Sequence, residues 1–327
     1  MPEEMPDLSI VVPVYRSSPC LRPLVDAIEQ ALTPAGITYE VVLVNDYSPD
    51  DSWNVIEQLC QERSNVVGVD LRRNFGQDNA IITGLRLIHG RYAAIMDDDL
   101  QHHPQDLPGM LAKAMEGFDL VYADFGHKQQ KLWKNLGSWF NGKVAEIVIG
   151  KPKNVYLSPY KVIEGEVVKL ICRYDGPDPY IDGLLFQITA RICQVPVLHH
   201  DRFAGESTYT FWKSVRVWAR LAFSFSVKPL RMVSFLGFTF ALLGGVLAII
   251  ASLYRLFLPQ DFPPQAVGWA SLMVALLLLS GIQMMFFGVL GEYAGRMFVR
   301  VNNKPQTAVR KALNREGAHL IAQPPGN

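Results

Sequence analysis

Two long runs of this chain carry no charged side chain: MVSFLGFTFALLGGVLAIIASLY from Met232 to Tyr254, and AVGWASLMVALLLLSGIQMMFFGVLG from Ala266 to Gly291. A bilayer hydrocarbon core ~30 Å thick is spanned by about 20 helical residues, and both runs reach that length. Core helices of globular proteins seldom go so far without a charge. The pair is therefore read as two transmembrane helices within 232–291, joined by the short, proline-rich linker RLFLPQDFPPQ into a hairpin. Basic residues set its orientation. Lys213, Arg216, Arg220, Lys228 and Arg231 precede the first run; Arg296, Arg300, Lys304, Arg310 and Lys311 follow the second; the linker offers Arg255 opposed by Asp261. By the positive-inside rule both termini are cytoplasmic. Glycines such as Gly237, Gly281 and Gly288 would let the two helices approach closely.

Between 210 and 231, Trp212, Val215, Trp218, Ala219 and Ala222 recur at helical spacing among Lys213, Arg216 and Arg220. An aromatic and basic amphipathic helix beside a span reads as interfacial. The segment 131–150, with Trp133, Trp139 and Phe140, fits a core helix and a membrane-surface helix equally well. The N-terminus, MPEEMPDLSI, has no apolar signal region, so the first 209 residues are expected to stay in the cytoplasm. Cys20, Cys60, Cys172 and Cys193 are scattered without a CxxC and read as free thiols in a reducing compartment. Lys plus Arg and Asp plus Glu are each 31. That balance argues against a nucleic-acid partner, which would need a basic surplus.

The first 209 residues alternate strand and helix patterns. Short apolar, β-branched runs at 8–15, 39–46, 66–71 and 92–98 are separated by helical patterns at roughly 19–34, 51–62 and 77–88. This predicts βαβ units and a mainly parallel sheet. Ligands of such sheets sit beyond the C-terminal strand ends. Those ends here carry Pro13–Tyr15, Asn45–Asp46, Arg73–Gly76 and Asp97–Asp99.

MDDDLQ, 96–101, is the strongest local signal. Asp97 and Asp99 are two apart on an extended chain and project to one side, with Asp98 to the other. Converging carboxylates repel, and a hard divalent cation removes the conflict. Mg²⁺ held this way takes one or two carboxylates plus substrate phosphates, which hints at a nucleoside diphosphate. An acidic turn at a strand end explains the triplet as well. Asp46 could accept from a ribose hydroxyl or a base N–H; Ser48 and Asp50 are at hand to cap the next helix in its place. RRNFGQ, 72–77, brings Asn74, Gly76 and Gln77 to a strand end, and DRFAGEST, 201–208, offers Arg202 to a phosphate. The pairs His102–His103 and His199–His200 lack a third ligand at metal-binding spacing.

Taken in order, PVY, NDxS, RNFGQ, DxDLQ, RxxGxS and a closing membrane hairpin with GEYAGRMF resemble the family 2 glycosyltransferases of the polyprenyl-phosphate type. That group includes dolichyl-phosphate mannose synthase, the bactoprenol glucosyltransferases and the undecaprenyl-phosphate aminoarabinose transferase. The resemblance runs from about residue 8 to residue 305. It implies an α/β GT-A fold with a Rossmann-like sheet, followed by the interfacial helix, the hairpin and a cytoplasmic tail, 292–327. It also implies a nucleotide-sugar donor, a polyprenyl phosphate acceptor, Mg²⁺ or Mn²⁺, and a multi-pass bacterial inner-membrane enzyme. A homo-oligomer, a tetramer by analogy, goes with it. Carried over by residue, Pro13 and Tyr15 would line the base pocket and Asp46 would bind the nucleoside, most often uridine, beside Asn74, Gly76 and Gln77. Asp97 would lie near ribose and diphosphate, Asp99 would hold the metal with support from Gln101, and Arg202 would meet a phosphate.

This chain departs from the group's pattern. Arg16–Ser17 follow PVY where an acidic residue is usual, and Thr208 stands where RxxGxSK has lysine. The acid of a GDFRL-like segment is missing from NVYLSPYKVI, 154–163; the next carboxylate is Glu164, and Asp178 and Asp182 follow in PDPYIDGLLFQ. Asp182 is taken as the candidate that positions the sugar. These changes leave open an inactive nucleotide-binding scaffold. A polysaccharide synthase of the same superfamily is disfavoured, because no QxxRW-like motif is present and two spans are few for a polymer channel.

Overall fold

A computed structural model of the chain describes residues 5–126, 152, 155–176, 179–197, 228–257, 267–301 and 305–315. The chain divides into two compact units, Met1–Phe211 with Asn303–Asn327, and Trp212–Asn302. The segment 131–150, Arg202 and the interfacial stretch before Lys228 lie outside the described residues.

The first unit is built on an eight-stranded sheet. Its first half alternates as the sequence predicts: β1 (Leu8–Val14), α1 (Ser18–Leu32), β2 (Tyr39–Asn45), α2 (Ser52–Glu62), β3 (Val66–Leu71), α3 (Gln77–Leu85) and β4 (Tyr92–Ile95). A short 3₁₀ turn, Pro104–Asp106, leads into α4 (Leu107–Met115) and β5 (Leu120–Asp124). Then come β6 (Lys161–Glu164), α5 (Gly165–Ile171), α6 (Ile181–Ile188) and β7 (Ile192–Pro196). The order across the sheet is β7-β5-β6-β4-β1-β2-β3, and an eighth strand, β8 (Val309–Leu313), closes the far edge against β3. β1 to β4 are mutually parallel, whereas β6 and β8 run antiparallel to their neighbours.

The strands are buried on both faces, which explains their near-continuous apolar runs. Leu8, Ile10, Val12 and Val14 of β1 join one core cluster with Leu21, Leu24 and Ile28 of α1 and Ile56 and Leu59 of α2. Val11 faces the other way, towards α3. A Cβ on Gly84 of α3 would lie 2.5 Å from Val11 Cγ1 and 3.0 Å from Val44 Cγ2. Glycine at that position therefore lets α3 lie directly on β1 and β2.

β8 was not visible as a strand in the sequence. The tail after the long helices supplies it, and its neighbours fasten it: Asn314 donates to the Cys60 and Val66 carbonyls at 2.7 and 2.8 Å, and Thr83 Oγ1 pairs with Thr307 Oγ1 at 2.9 Å. Covering β3 this way removes an open sheet edge.

The second unit holds α7 (Lys228–Phe257, 30 residues) and α8 (Val267–Val301, 35 residues). A Cβ on Gly237 would fall 2.8 Å from the Phe286 ring, so the two helices touch there, while the same construction at Gly281 and Gly288 meets open space. Phe235, Phe238, Leu242, Met284 and Phe298 are exposed. Among the described residues no helix is long and apolar enough to cross a membrane.

Candidate active site

The strand order reverses at β1: β2 and β3 lie on one side of it and β4 on the other. In an open α/β sheet such a switch point opens a crevice at the C-terminal strand ends. Pro13 widens it. Val11 O accepts Met96 N–H and Val14 O accepts Asp46 N–H, so odd-numbered residues of β1 bond towards β4 and even-numbered ones towards β2. Pro13 falls on the β4 side, and without an N–H it ends that ladder. Beyond Met96 the chain leaves the sheet. The resulting cleft of ≈ 430 Å³ is lined by Pro13, Val14, Tyr15, Asp46, Asn74, Gly76, Gln77 and Asp97, Asp98 and Asp99.

Asp46 organises the loop after β3. One of its carboxylate oxygens accepts Phe75 N–H at 2.7 Å and the other Gly76 N–H at 2.8 Å, while Asn74 Nδ2 donates to the Asp46 carbonyl at 3.1 Å. Gly76 adopts φ 90°, which glycine tolerates, and turns the chain into α3. Burial raises the Asp46 pKa, and the two N–H donors oppose that shift. Each oxygen keeps lone-pair capacity for a ligand. The expected nucleoside contact is thus also the clamp of the RNFGQ loop.

All three carboxylates of the acidic triplet line the cleft, on a bent rather than an extended stretch of chain. Asp98 turns inward across the β1–β4 gap and accepts Tyr15 N–H at 3.1 Å. Burial pushes its pKa up to about 6, and Asp97 adds to the rise, against hydrogen bonds from Ser17 and Tyr15. Asp97 accepts Gln77 Nε2 at 2.8 Å. Asp99 accepts Gln101 N–H at 3.1 Å across Leu100, which stands at φ 60°. Gln101 therefore supports Asp99 through its backbone. Behind the triplet lies His102, which the sequence offered only as a possible metal ligand. Its Nδ1 accepts Asp97 N–H at 3.1 Å, and its ring stacks between Phe125 and Tyr160 at 5.6 and 5.1 Å.

Asp182 is placed elsewhere. It is absent from the cleft lining and is held by Lys161 and by the Tyr122 hydroxyl at 2.7 Å. Glu164 caps α5 by accepting Val167 N–H at 3.3 Å.

Four carboxylates line the cleft, and among its described lining residues there is no lysine or arginine. A diphosphate cannot rest against that surface unless a cation intervenes. Among the described residues no group of three or more His, Cys, Asp or Glu could hold an ion alone. The donor set thus fits a hard divalent ion on one or two aspartates, completed by substrate phosphates.

The glycosyl transferase family 2 model matches residues 9–162. An uncharacterized glycosyltransferase of Synechocystis is 32% identical over 303 residues, 91% of this chain and 93% of that protein. An undecaprenyl-phosphate 4-deoxy-4-formamido-L-arabinose transferase of Shewanella sediminis is 32% identical over 94% of this chain and 92% of its own length. One of the same name from Klebsiella pneumoniae is 29% identical over 94% and 93%. Among solved structures, glucosyl-3-phosphoglycerate synthase from Mycobacterium tuberculosis is similar at a TM-score of 0.49 and 16% identity, over 68% of this chain and 78% of that one.

Proposed function

Because the chain belongs to glycosyl transferase family 2, we propose that it transfers a sugar, with inversion, from a nucleoside-diphosphate donor to a polyprenyl phosphate. The expected nucleotide is UDP. The observation that carries this reading is the cleft at the β1–β4 switch point, with four aspartates and no cation among its described lining residues. Relatives of nearly full length named for undecaprenyl-phosphate transfer support the acceptor.

In this reading the base enters between the tips of β1 and β2, near Tyr15 and Asp46, and the diphosphate lies towards Asp97 and Asp99. A divalent ion held by Asp99 with Asp97 would screen the diphosphate and stabilise it as a leaving group. Gln77 and His102 keep Asp97 in place, and the Gln101 N–H keeps Asp99 in place. An acceptor phosphate oxygen attacks the anomeric carbon from the side opposite the nucleotide. The new C–O bond forms as the bond to the β-phosphate oxygen breaks, and the nucleoside diphosphate departs with the electron pair. A phosphate monoester, with a second pKa near ~6, is already largely ionised at neutral pH. It needs positioning more than a general base, so the missing acid of the 154–163 segment does not block the reaction. Arg202 remains our candidate for an acceptor or donor phosphate.

The acceptor's tail keeps it in the bilayer, so we infer that the enzyme works at the membrane through the 232–291 hairpin. The charge-free runs and the lengths of α7 and α8 support this. So does the return of the tail: residues 309–313 belong to the same sheet as residues 8–14, so the intervening chain must leave and re-enter on one side. Two crossings satisfy that; one does not. With the basic flanks, this supports a cytoplasmic catalytic unit.

The test is a product assay. Full-length protein in detergent meets undecaprenyl phosphate, Mg²⁺ or Mn²⁺ and a panel of nucleotide sugars, and lipid products are weighed by mass spectrometry. A single lipid-phosphate-sugar, lost on chelation and in Asp99→Asn, is the expected result. Tight metal-dependent nucleotide binding without product from any donor would point to the inactive-scaffold alternative.

A further inference from the structure

Tyr47 lies at the tip of β2, one residue beyond Asp46, with φ 54°. L-residues with a Cβ are disfavoured in that left-handed region, and a bulky residue there signals a constraint. Burial does not explain it, since Tyr47 is 53% exposed. Its cross-strand neighbour is strained in the same way. The β1–β2 register pairs Val14 with Asn45, and carried two residues further it sets Arg16 beside Tyr47; Arg16 has φ 61°.

A hydrogen-bond network ties Arg16 to the turn that follows Tyr47. Arg16 N–H donates to Ser48 Oγ at 2.6 Å, and Ser48 Oγ donates to Asp50 Oδ1 at 2.5 Å. The other Asp50 oxygen accepts Ser18 N–H at 3.1 Å. Burial raises the Asp50 pKa, but bonds from Ser48, Ser52 and Ser18 outweigh it and leave the group below its ordinary value. The network ties the left-handed Arg16 to the turn that follows the left-handed Tyr47, and each of the two comes directly after a residue that lines the cleft, Tyr15 and Asp46. Strain that persists around a site without a packing reward is a pointer to function. Tyr15 is 44% exposed, lines the cleft and carries the Arg16 guanidinium 5.3 Å from its ring centroid.

We propose that Tyr47 is a nucleoside-recognition residue: the left-handed turn presents its ring as a second aromatic wall, beside Tyr15, for the planar base of the donor. Stacking of this kind takes any base face and gains affinity from area rather than from hydrogen bonds. The idea rests on the donor reading above.

The experiment is equilibrium binding to the full-length protein in detergent, by calorimetry, with Mn²⁺ and UDP, GDP, CDP or ADP, and with Mn²⁺ and inorganic pyrophosphate. Tyr47→Gly removes the ring and relaxes the backbone; Tyr47→Phe keeps the ring. We expect Tyr47→Gly to melt no lower than wild type, yet to bind the preferred nucleoside diphosphate at least tenfold more weakly. Its pyrophosphate affinity should stay within twofold, and Tyr47→Phe should restore nucleotide affinity. Equal nucleotide affinity in Tyr47→Gly overturns the proposal. So does an equal loss for pyrophosphate, or a Tyr47→Phe that binds as poorly as the glycine variant. A wild type that binds no nucleoside diphosphate overturns the donor reading itself, and this proposal with it.

Discussion

The Lys161 ammonium and the Asp182 carboxylate form an ion pair closed to solvent on both sides, with 4% and 14% of their side-chain surface exposed. The Tyr122 hydroxyl donates to the same Asp182 oxygen at 2.7 Å, and Lys161 Nζ lies 5.1 Å from the centroid of the Tyr122 ring. Burial, reinforced by Asp182, holds the Tyr122 pKa well above its ordinary value, so the hydroxyl remains a donor at any physiological pH. Removing one member of a buried pair strands the other charge, at a cost of roughly 3–5 kcal/mol. Asp182→Asn is therefore expected to lower the denaturation midpoint sharply. Lys161→Met with Asp182→Leu should recover most of the loss. Turnover by that double variant decides whether Asp182 touches the sugar: retained turnover assigns it to structure alone.

Asp46→Asn tests the clamp. An amide presents one acceptor where the carboxylate presents two, so either Phe75 or Gly76 loses its partner and faces an N–H₂ group. An unsatisfied buried donor costs about 1–3 kcal/mol. The expected signature is a modest drop in melting temperature with a donor KM raised at least tenfold, because the displaced loop carries Asn74, Gly76 and Gln77 into the cleft. A lowered melting temperature with an unchanged KM would separate the clamp from donor binding.

Asp98 predicts a pH dependence. Its carboxyl titrates near about 6 in the folded chain and near ~3.9 when unfolded. Between those values the folded state binds more protons, so stability falls as pH rises. The contribution is fully present below about pH 4 and is lost as pH passes ~6. A shift of that size corresponds to roughly 2–3 kcal/mol. Chelator-treated wild type should therefore lose stability from this group across that window, while Asp98→Asn should show a flatter profile. Parallel profiles for the two proteins would refute the assignment.

The parallel half of the sheet was legible because buried strands leave continuous apolar runs. The predicted 39–46 and 66–71 appear as Tyr39–Asn45 and Val66–Leu71. Long-range pairings were not legible. β6 and β8 are four- and five-residue strands, KVIE and VRKAL, whose placement depends on partners far away in the chain. Asp182 looked available because nothing near it in sequence announces Lys161, twenty-one residues earlier. The structural role of His102 has no local signal, since its stacking partners Phe125 and Tyr160 come from β-strand ends with no shared motif. The strain at Tyr47 is a backbone property, and an asparagine or glycine there would have advertised it.

The tail strand carries the last prediction. Arg310 Nε bonds Asp70 Oδ2, while Asn45 Nδ2 donates to Asp70 Oδ1 at 2.7 Å, and Asp70 is 0% exposed. Asn45 Oδ1 in turn accepts Ser48 N–H at 3.3 Å. Arg310 thus neutralises a carboxylate that sits one step from the loop bearing Asp46 and Tyr47. Arg310→Leu leaves Asp70 buried with a neutral partner only, at a cost of roughly 2–4 kcal/mol. Restoring neutrality with Asp70→Asn in the same protein should return a good part of it. Hydrogen exchange supplies the local readout: amides of 68–71 and 45–50 should exchange faster in Arg310→Leu, and protection should reappear in the double variant. Faster exchange confined to 309–313 would mean that β8 only covers the edge of β3 and does not brace the nucleotide loop.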